Sequence, residues 1–158
     1  MLQALQGTPA QRALMQRAVD EAAKSPPAEA AYCVGAVLVA PPADDGGTSD
    51  HNAGTVLASG FSRELPGNTH AEQVCLAKLA SPDAARGTHV YSTMEPCSLR
   101  LSGNVPCARR LIDAGVARVF IGVLEPPDLV ANCSGVEMLQ AAGIEVVYLD
   151  GFRGVPAG

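Results

Sequence analysis

The chain has 158 residues, and its 16 acidic and 11 basic side chains give a net charge of −5 at pH 7. This balance argues against a broad basic surface for nucleic acid, so a small-molecule partner is favoured. No apolar run approaches the roughly 20 residues of a membrane span, and the first residues lack the pattern of a secretory signal. We therefore expect no nucleic-acid partner and no membrane partner.

Cysteine usage indicates the compartment. Five cysteines are an odd number, which argues against a disulfide framework. Reduced thiols, available to a metal ion, are typical of an intracellular protein. We expect a cytoplasmic location.

Hydrophobic periodicity and turn residues predict four helices and five strands. The Thr8-Pro9 pair marks the start of the first helix as N-cap and first helical residue. The predicted elements, in chain order, are a helix over 8–24, strands over 32–39 and 55–61, a helix over 70–79, a strand over 88–93, a helix over 107–114, a strand over 118–124, a helix over 136–142 and a strand over 144–149.

The order of these elements predicts the fold class. Strands that alternate with helices in the second half imply parallel neighbours with right-handed crossovers, and the first two strands form an antiparallel hairpin with its tip at 41–53. We expect an α/β fold with three α/β/α layers around a five-stranded mixed sheet. The chain 1–158 is predicted to be one domain, with a core over about 8–150 and a loose tail over 151–158.

A histidine and two cysteines form the pattern that carries chemistry. His70-Ala71-Glu72 is followed by Pro96-Cys97 and then by Cys107. One imidazole and two thiolates provide three zinc ligands and leave a fourth position open for water, which is typical of a catalytic site. Glu72, beside the ligand His70, can transfer protons. His-x-Glu followed by Pro-Cys-x-x-Cys is the signature of zinc deaminases that act on nucleobases, and this chain keeps the first half of that pattern but lengthens the Cys–Cys interval.

The interval between the two cysteine ligands is unusually long. Nine residues separate Cys97 from Cys107, whereas structural zinc sites use about two to four. The segment between them should form a loop beside the open zinc position. The other cysteines and histidines are expected to be bystanders: Cys33 and Cys75 in the core, Cys133 an adventitious thiol, and His51 and His89 structural or solvated.

Substrate contacts are expected from the segments that flank the ligands. An arginine there could pair with a phosphate group, although polar loop residues are as often simply solvated. Glu95, before the Pro-Cys pair, could orient the loop rather than touch substrate. The candidates are Ser62, Arg63, Glu64, Asn68, Ala71, Glu95, Arg100 and Asn104.

At these residues the chain resembles the cytidine deaminase superfamily, and more closely the pyrimidine deaminases of riboflavin biosynthesis. The resemblance spans about 32–148 and implies a cytidine deaminase-like fold. A Cys–Cys interval of eight or nine residues is typical of the riboflavin branch, whereas other branches have two. The matching stretches are VGAVLV, HAE, TMEPCS, the later Pro106-Cys107, RRLIDAGVARVFIG and NCSGVEMLQAAGIEV.

The entry to the first strand and the inter-cysteine loop differ from bacterial members and resemble the fungal, monofunctional type without a fused reductase domain. The resemblance then implies a substrate, 2,5-diamino-6-ribitylamino-4(3H)-pyrimidinone 5'-phosphate, which loses ammonia to give the 2-oxo product. It also implies Zn²⁺ held by His70, Cys97 and Cys107, Glu72 as proton shuttle, and a homodimer.

Three alternatives stay open at this point. The chain could be another deaminase of the superfamily, acting on tRNA or on a free nucleoside or base. It could be a structural zinc protein or a catalytically silent subunit, although such a site has no need of Glu72. A redox-active cysteine protein ranks last, because the sequence has no C-x-x-C motif.

Overall fold

The computed structural model describes residues 3–26, 33–42, 53–97, 105–123 and 135–152. These residues form one mixed sheet with helices on both faces. The strands are β1 (Ala4–Leu5), β2 (Gly35–Ala40), β3 (Thr55–Phe61), β4 (His89–Met94), β5 (Arg118–Val123) and β6 (Glu145–Leu149). The helices are α1 (Pro9–Ala22), α2 (Ala71–Ala77), α3 (Cys107–Ala114) and α4 (Gly135–Ala141), with a 3-10 turn at Pro82–Ala85.

The strand order is β1-β6-β5-β4-β2-β3. Strand β2 is antiparallel to both β3 and β4, whereas β4, β5, β6 and β1 run parallel to one another. The α/β class, the antiparallel hairpin and the parallel second half are therefore confirmed.

The prediction of a five-stranded sheet is wrong, because β1 adds a sixth strand at the edge. Ala4 and Leu5 pair in parallel with Tyr148 and Leu149. Both residues of β1 are exposed, so the strand is held by backbone pairing and not by burial of its side chains. Two residues are too few to show a hydrophobic period.

The sheet separates two hydrophobic cores, which confirms the three layers. Strand β2 shows why, since its successive side chains point to opposite faces: Leu38 packs towards α2, α3 and α4, and Val37 packs towards α1. Burial on both faces explains the continuous apolar run of this strand. The α1 core comprises Leu14, Met15, Ala18, Val37, Val39, Tyr91, Phe120, Leu149 and Phe152.

Gly35 lies where α1, β2 and β4 pack closely against one another. A Cβ atom at Gly35 would lie 1.9 Å from the carbonyl oxygen of Ala18 in α1, so only glycine permits this approach. The Gly35 N–H donates to Thr93 Oγ1 at 3.1 Å. The start of β2 is thereby tied to the end of β4, where the chain turns towards Cys97.

The core extends two residues beyond its predicted limit at about 150. Phe152, placed by sequence in the loose tail, is only 8 % exposed, and the Arg12 guanidinium lies 4.8 Å from its ring centroid. Residues 153–158 and most of the predicted hairpin tip, 43–52, lie outside the described residues. Among the described residues, no helix has the length and apolar character needed to cross a membrane.

Candidate active site

The three predicted ligands come from the starts of two helices and the end of one strand. His70 is the N-cap of α2, with extended backbone angles. Cys107 is the first residue of α3, and Cys97 follows the end of β4 by three residues. Because α2 and α3 pack on the same face of the sheet, their first turns meet at the end of β4.

The ligand atoms have the spacing of a zinc site. His70 Nδ1 lies 3.6 Å from Cys97 Sγ and 3.3 Å from Cys107 Sγ, and all three ligand atoms lie within 4.8 Å of one another. Tetrahedral zinc with its usual bond lengths would hold an imidazole nitrogen and a thiolate sulfur about 3.6 Å apart. The residues present therefore fit a zinc ion with three protein ligands.

Hydrogen bonds around the sulfurs also favour a thiolate. The Cys107 thiol donates towards Cys97 and lowers the pKa of the Cys97 thiol, helped by His70 and by the Cys107 N–H, which lies 3.2 Å from Cys97 Sγ. The same shared proton, with burial and the nearby Glu72, raises the pKa of Cys107. The surrounding hydrogen bonds thus favour the thiolate form of Cys97, the form that binds a metal ion.

Glu72 lies beside the ligands as the second residue of α2. Its side chain is nearly enclosed, with the residue 4 % exposed. Oε1 accepts a hydrogen bond from Ser92 Oγ at 2.7 Å. A carboxylate held within reach of the open side of a metal site can accept and return protons there.

Glu95 is bound to the protein and not directed at open space. It is 7 % exposed, and Oε2 accepts from the Val136 N–H in α4 at 3.0 Å. A Cβ at Gly135 would lie 1.8 Å from the Pro96 carbonyl oxygen. The start of α4 therefore packs directly against the segment that carries Cys97, and Glu95 joins the two.

Two of the predicted substrate residues before His70 form hydrogen bonds or ion pairs with other residues of the protein. Ser62, 5 % exposed, accepts from the Val34 N–H at 2.9 Å and donates to Val34 O at 3.3 Å. Glu64 forms an ion pair with Lys78 at 2.5 Å and accepts from the Phe61 N–H at 3.3 Å. These contacts hold the loop against β2 and α2.

Arg63 combines a rare backbone conformation with several contacts. Its φ of 64° is the one positive value among the non-glycine residues that the structure describes, and such strain is often found near functional sites. Its guanidinium donates to Ser25 Oγ at 3.0 Å and to Pro26 O at 2.5 Å and lies 3.6 Å from Cys33 Sγ. The Arg63 side chain thereby connects the segment that follows α1 to the segment that precedes β2.

The remaining predicted substrate residues are placed as follows. Asn68 is exposed, and Ala71 is buried as the first residue of α2. Arg100 and Asn104 lie outside the described residues.

The cysteines and histidines that are not predicted as ligands differ in burial and position. Cys75 is buried as predicted, its thiol donates to Ala36 O at 3.4 Å, and burial raises its pKa. The prediction that Cys33 belongs to the core of a strand is wrong, because it is only half-buried and precedes β2. His89 begins β4, as predicted for a strand residue. Cys133 and His51 lie outside the described residues.

Sequence reasoning missed Ser92, which contacts Glu72. The sequence feature that could have indicated Ser92 is a hydroxyl inside an apolar strand. Ser92 lies two positions after Val90 and therefore on the same face of the sheet as Val90. A serine inside a strand matches neither the pattern of a metal ligand nor that of a loop contact.

Comparisons with known proteins agree with this geometry. The family model for the cytidine and deoxycytidylate deaminase zinc-binding region matches residues 9–123. A "diaminohydroxyphosphoribosylamino-pyrimidine deaminase" from Schizosaccharomyces pombe is 42% identical over 136 residues, which are 84% of this chain and 30% of that protein. "Riboflavin biosynthesis protein RibD" of Haemophilus influenzae is 37% identical over 132 residues, 83% of this chain and 31% of that protein. The chain therefore spans about a third of the length of these curated relatives.

Among solved structures, the Aspergillus oryzae Rib2 deaminase in complex with DARIPP is similar in fold and sequence. It has a TM-score of 0.76 and 32% identity over 90% of this chain and 85% of that chain. All three predicted metal ligands and Glu72 lie within the residues that the family model matches. The chain belongs to the cytidine and deoxycytidylate deaminase family, whose zinc-binding region it contains.

Proposed function

We propose that this protein is a zinc-dependent hydrolytic deaminase of riboflavin biosynthesis. The proposed reaction converts 2,5-diamino-6-ribitylamino-4(3H)-pyrimidinone 5'-phosphate and water to 5-amino-6-ribitylamino-2,4(1H,3H)-pyrimidinedione 5'-phosphate and ammonia. The observation that carries the proposal is a buried carboxylate, Glu72, beside a His-Cys-Cys cluster with zinc spacing. The names of the relatives from Schizosaccharomyces pombe and Haemophilus influenzae support the pathway.

His70, Cys97 and Cys107 would hold the zinc ion. A zinc ion with three protein ligands activates water for attack at near-neutral pH. The chain contributes the geometry: two helix starts and the segment after β4 bring the ligand atoms within 4.8 Å of one another. The Cys107 N–H, directed at Cys97 Sγ at 3.2 Å, stabilises the negative charge on that sulfur.

Glu72 would act as the proton shuttle. Its carboxylate would take a proton from the attacking water and deliver protons to a ring nitrogen and to the departing amine. Its burial keeps bulk water away from the transfer, and the hydrogen bond from Ser92 limits its rotation. In the proposed reaction, Glu72 is the catalytic residue.

Substrate contacts would come from the segments on either side of the ligands. We keep the proposal of substrate contact for Arg63, Asn68, Ala71, Arg100 and Asn104. The internal hydrogen bonds of Ser62, Glu64 and Glu95 support positioning roles for these three residues instead.

The ribityl form is the proposed substrate, and the ribosyl form is its competitor. The name of the Schizosaccharomyces pombe relative contains "phosphoribosylamino", whereas the Aspergillus oryzae structure holds DARIPP. Ammonia release from the ribityl and ribosyl pyrimidines, each with and without phosphate, decides the question. A higher kcat/KM for the phosphorylated ribityl compound supports the proposal, and preference for cytidine or guanine contradicts it.

We also propose a homodimer, with the second copy seated on the groove between α2 and α3. This groove has a volume of about 690 Å³, and its apolar floor includes Leu76 and Leu79. Asp83, Arg86, Arg110 and Asp113 also line it, which suits the self-complementary surface that a two-fold interface requires. Sedimentation should show a dimer that Ala77→Arg converts to monomer, and a wild-type monomer would contradict the proposal.

A cytoplasmic location is proposed from the thiols. The four described cysteines, Cys33, Cys75, Cys97 and Cys107, are free, and zinc ligation requires reduced sulfur. Recovery of the protein in a cytosolic fraction would support this location, and recovery with disulfide-bonded ligands from an oxidising compartment would contradict it.

A further inference from the structure

Ser92 is a fully buried hydroxyl on the face of the sheet that carries the site. It is 0 % exposed, and its neighbours across the sheet are Ala36 in β2 and Ile121 in β5. Both neighbours belong to the core beneath α2, α3 and α4. A hydroxyl in such surroundings must find a hydrogen-bond partner, because an unsatisfied buried polar group is costly.

Two oxygens at equal distance are the partners of Ser92. Its Oγ lies 2.7 Å from Glu72 Oε1 and 2.7 Å from the carbonyl oxygen of Met94. Met94 ends β4, just before the segment that leads to Cys97. A serine hydroxyl has one hydrogen to donate, so Ser92 bonds one of these two oxygens at a time, and donation to Glu72 ties the carboxylate on α2 to the strand that leads to Cys97.

A contact beside Ser92 helps to hold α2 over the sheet. One turn after Glu72, the Cys75 thiol donates to the Ala36 carbonyl, next to Ser92 in the adjacent strand. Residues three apart lie on one face of a helix, so Glu72 and Cys75 both face the sheet. The Cys75 contact fixes the position of α2, but it does not fix the orientation of the Glu72 side chain.

We propose that Ser92 is a positioning residue that orients the Glu72 carboxylate for proton transfer. This inference rests on the proposed deaminase function, since it assigns Ser92 a task only if Glu72 moves protons. A short hydrogen bond to a charged acceptor is directional and stronger than one between neutral groups. Ser92 has no part in metal ligation and acts on the reaction through Glu72.

The kinetic test uses Ser92→Ala in the zinc-loaded protein, with Thr88→Val as matched control. Thr88 is also buried, and its hydroxyl donates to Ala85 O at 2.6 Å, away from Glu72. We expect Ser92→Ala to lower kcat about tenfold or more with KM within about twofold, because a hydrogen bond to a charged group is typically worth that much. Zinc content should stay at the wild-type level, Ser92→Thr should recover part of kcat, and Thr88→Val should leave kcat unchanged. A zinc-loaded Ser92→Ala protein with wild-type kcat, or a kcat loss that only follows zinc loss, overturns the proposal.

A second measurement does not depend on turnover. Thermal midpoints of Ser92→Ala, Glu72→Ala and the double variant should be non-additive if the two side chains pair. Additive shifts overturn the pairing. If no pyrimidine is deaminated by the wild type, the proposed function fails, and this cycle still decides whether Ser92 holds Glu72.

Discussion

His70 Nδ1 and Cys107 Sγ lie 3.3 Å apart although 37 positions separate the two residues in sequence. Each residue sits at the start of a helix, α2 for His70 and α3 for Cys107. The relationship exists because both helices pack on one face of the sheet and begin at the same edge. The fold thus brings two of the three candidate metal ligands together from distant parts of the sequence.

Loss of one ligand should remove the metal. We expect His70→Ala and Cys107→Ser to hold less than about a tenth of the zinc of the wild type, because two ligands bind zinc far more weakly than three. Elemental analysis after dialysis measures the content. Cys75→Ala is the matched control, because Cys75 is a buried cysteine like Cys107 but its thiol bonds a backbone carbonyl. Zinc loss from Cys75→Ala equal to that from Cys107→Ser would contradict the assignment.

Glu95 should contribute to the free energy of unfolding, because its carboxylate bonds the start of α4. Glu95→Ala leaves the Val136 N–H without its acceptor, and we expect the free energy of unfolding to fall by about 1–3 kcal/mol. Urea unfolding measures the change. Glu145→Ala is the control, because its ion pair with Arg118 is largely exposed and should contribute less than about 1 kcal/mol. Equal effects of the two variants would show that Glu95 does not anchor α4.

Close packing at Gly135 should couple α4 to the metal site. A Cβ there would overlap the Pro96 carbonyl, so Gly135→Ala must displace the segment that carries Cys97. We expect destabilisation of about 3 kcal/mol or more, as for severe overpacking, and reduced zinc content. Gly143→Ala, with φ of +86° and nothing near its Cβ, should cost about 1 kcal/mol and keep its zinc. Full zinc binding by Gly135→Ala would show that the segment tolerates the displacement.

His89 should make stability depend on pH. Burial, together with the positive charge of Arg118, lowers its pKa in the folded protein. The unfolded chain then binds more protons between the folded pKa and about 6.5, so stability is fully present above pH 6.5 and is lost as pH falls through the folded pKa. The difference in urea midpoint between wild type and His89→Gln, measured from about pH 5 to 7.5, should show this slope. A constant difference across the range would contradict it.

The elements and the ligands were predictable from sequence for different reasons. Strand β2 is buried on both faces and carries an unbroken apolar run, and His70, Cys97 and Cys107 belong to a spaced motif. Strand β1 was not predictable, because its two residues are exposed and held only by backbone pairing. Phe152 was not predictable as core, because a single aromatic after Gly151 has no period.

Around the site, local sequence could not show which polar side chains face each other. Ser92 and Glu72 are 20 positions apart, and Glu95 and Val136 are 41 apart. Their pairing follows from the packing of α2 and α4 on the sheet. Sequence position therefore predicts substrate contact for Ser62 and Glu64, although both bond to the protein itself, whereas the bond of Glu95 to the Val136 N–H agrees with the orienting role that its position suggests.

We propose that a zinc ion held by His70, Cys97 and Cys107 works with Glu72 to deaminate a pyrimidine. The most direct measurement is ammonia release from the phosphorylated ribitylaminopyrimidine by wild type and Glu72→Gln, with zinc content determined on the same samples. We expect both proteins to hold zinc, and kcat of Glu72→Gln to fall by at least about 100-fold, as for loss of a general acid–base group. Wild-type kcat in zinc-loaded Glu72→Gln, or no ammonia from the zinc-loaded wild type, would contradict the account.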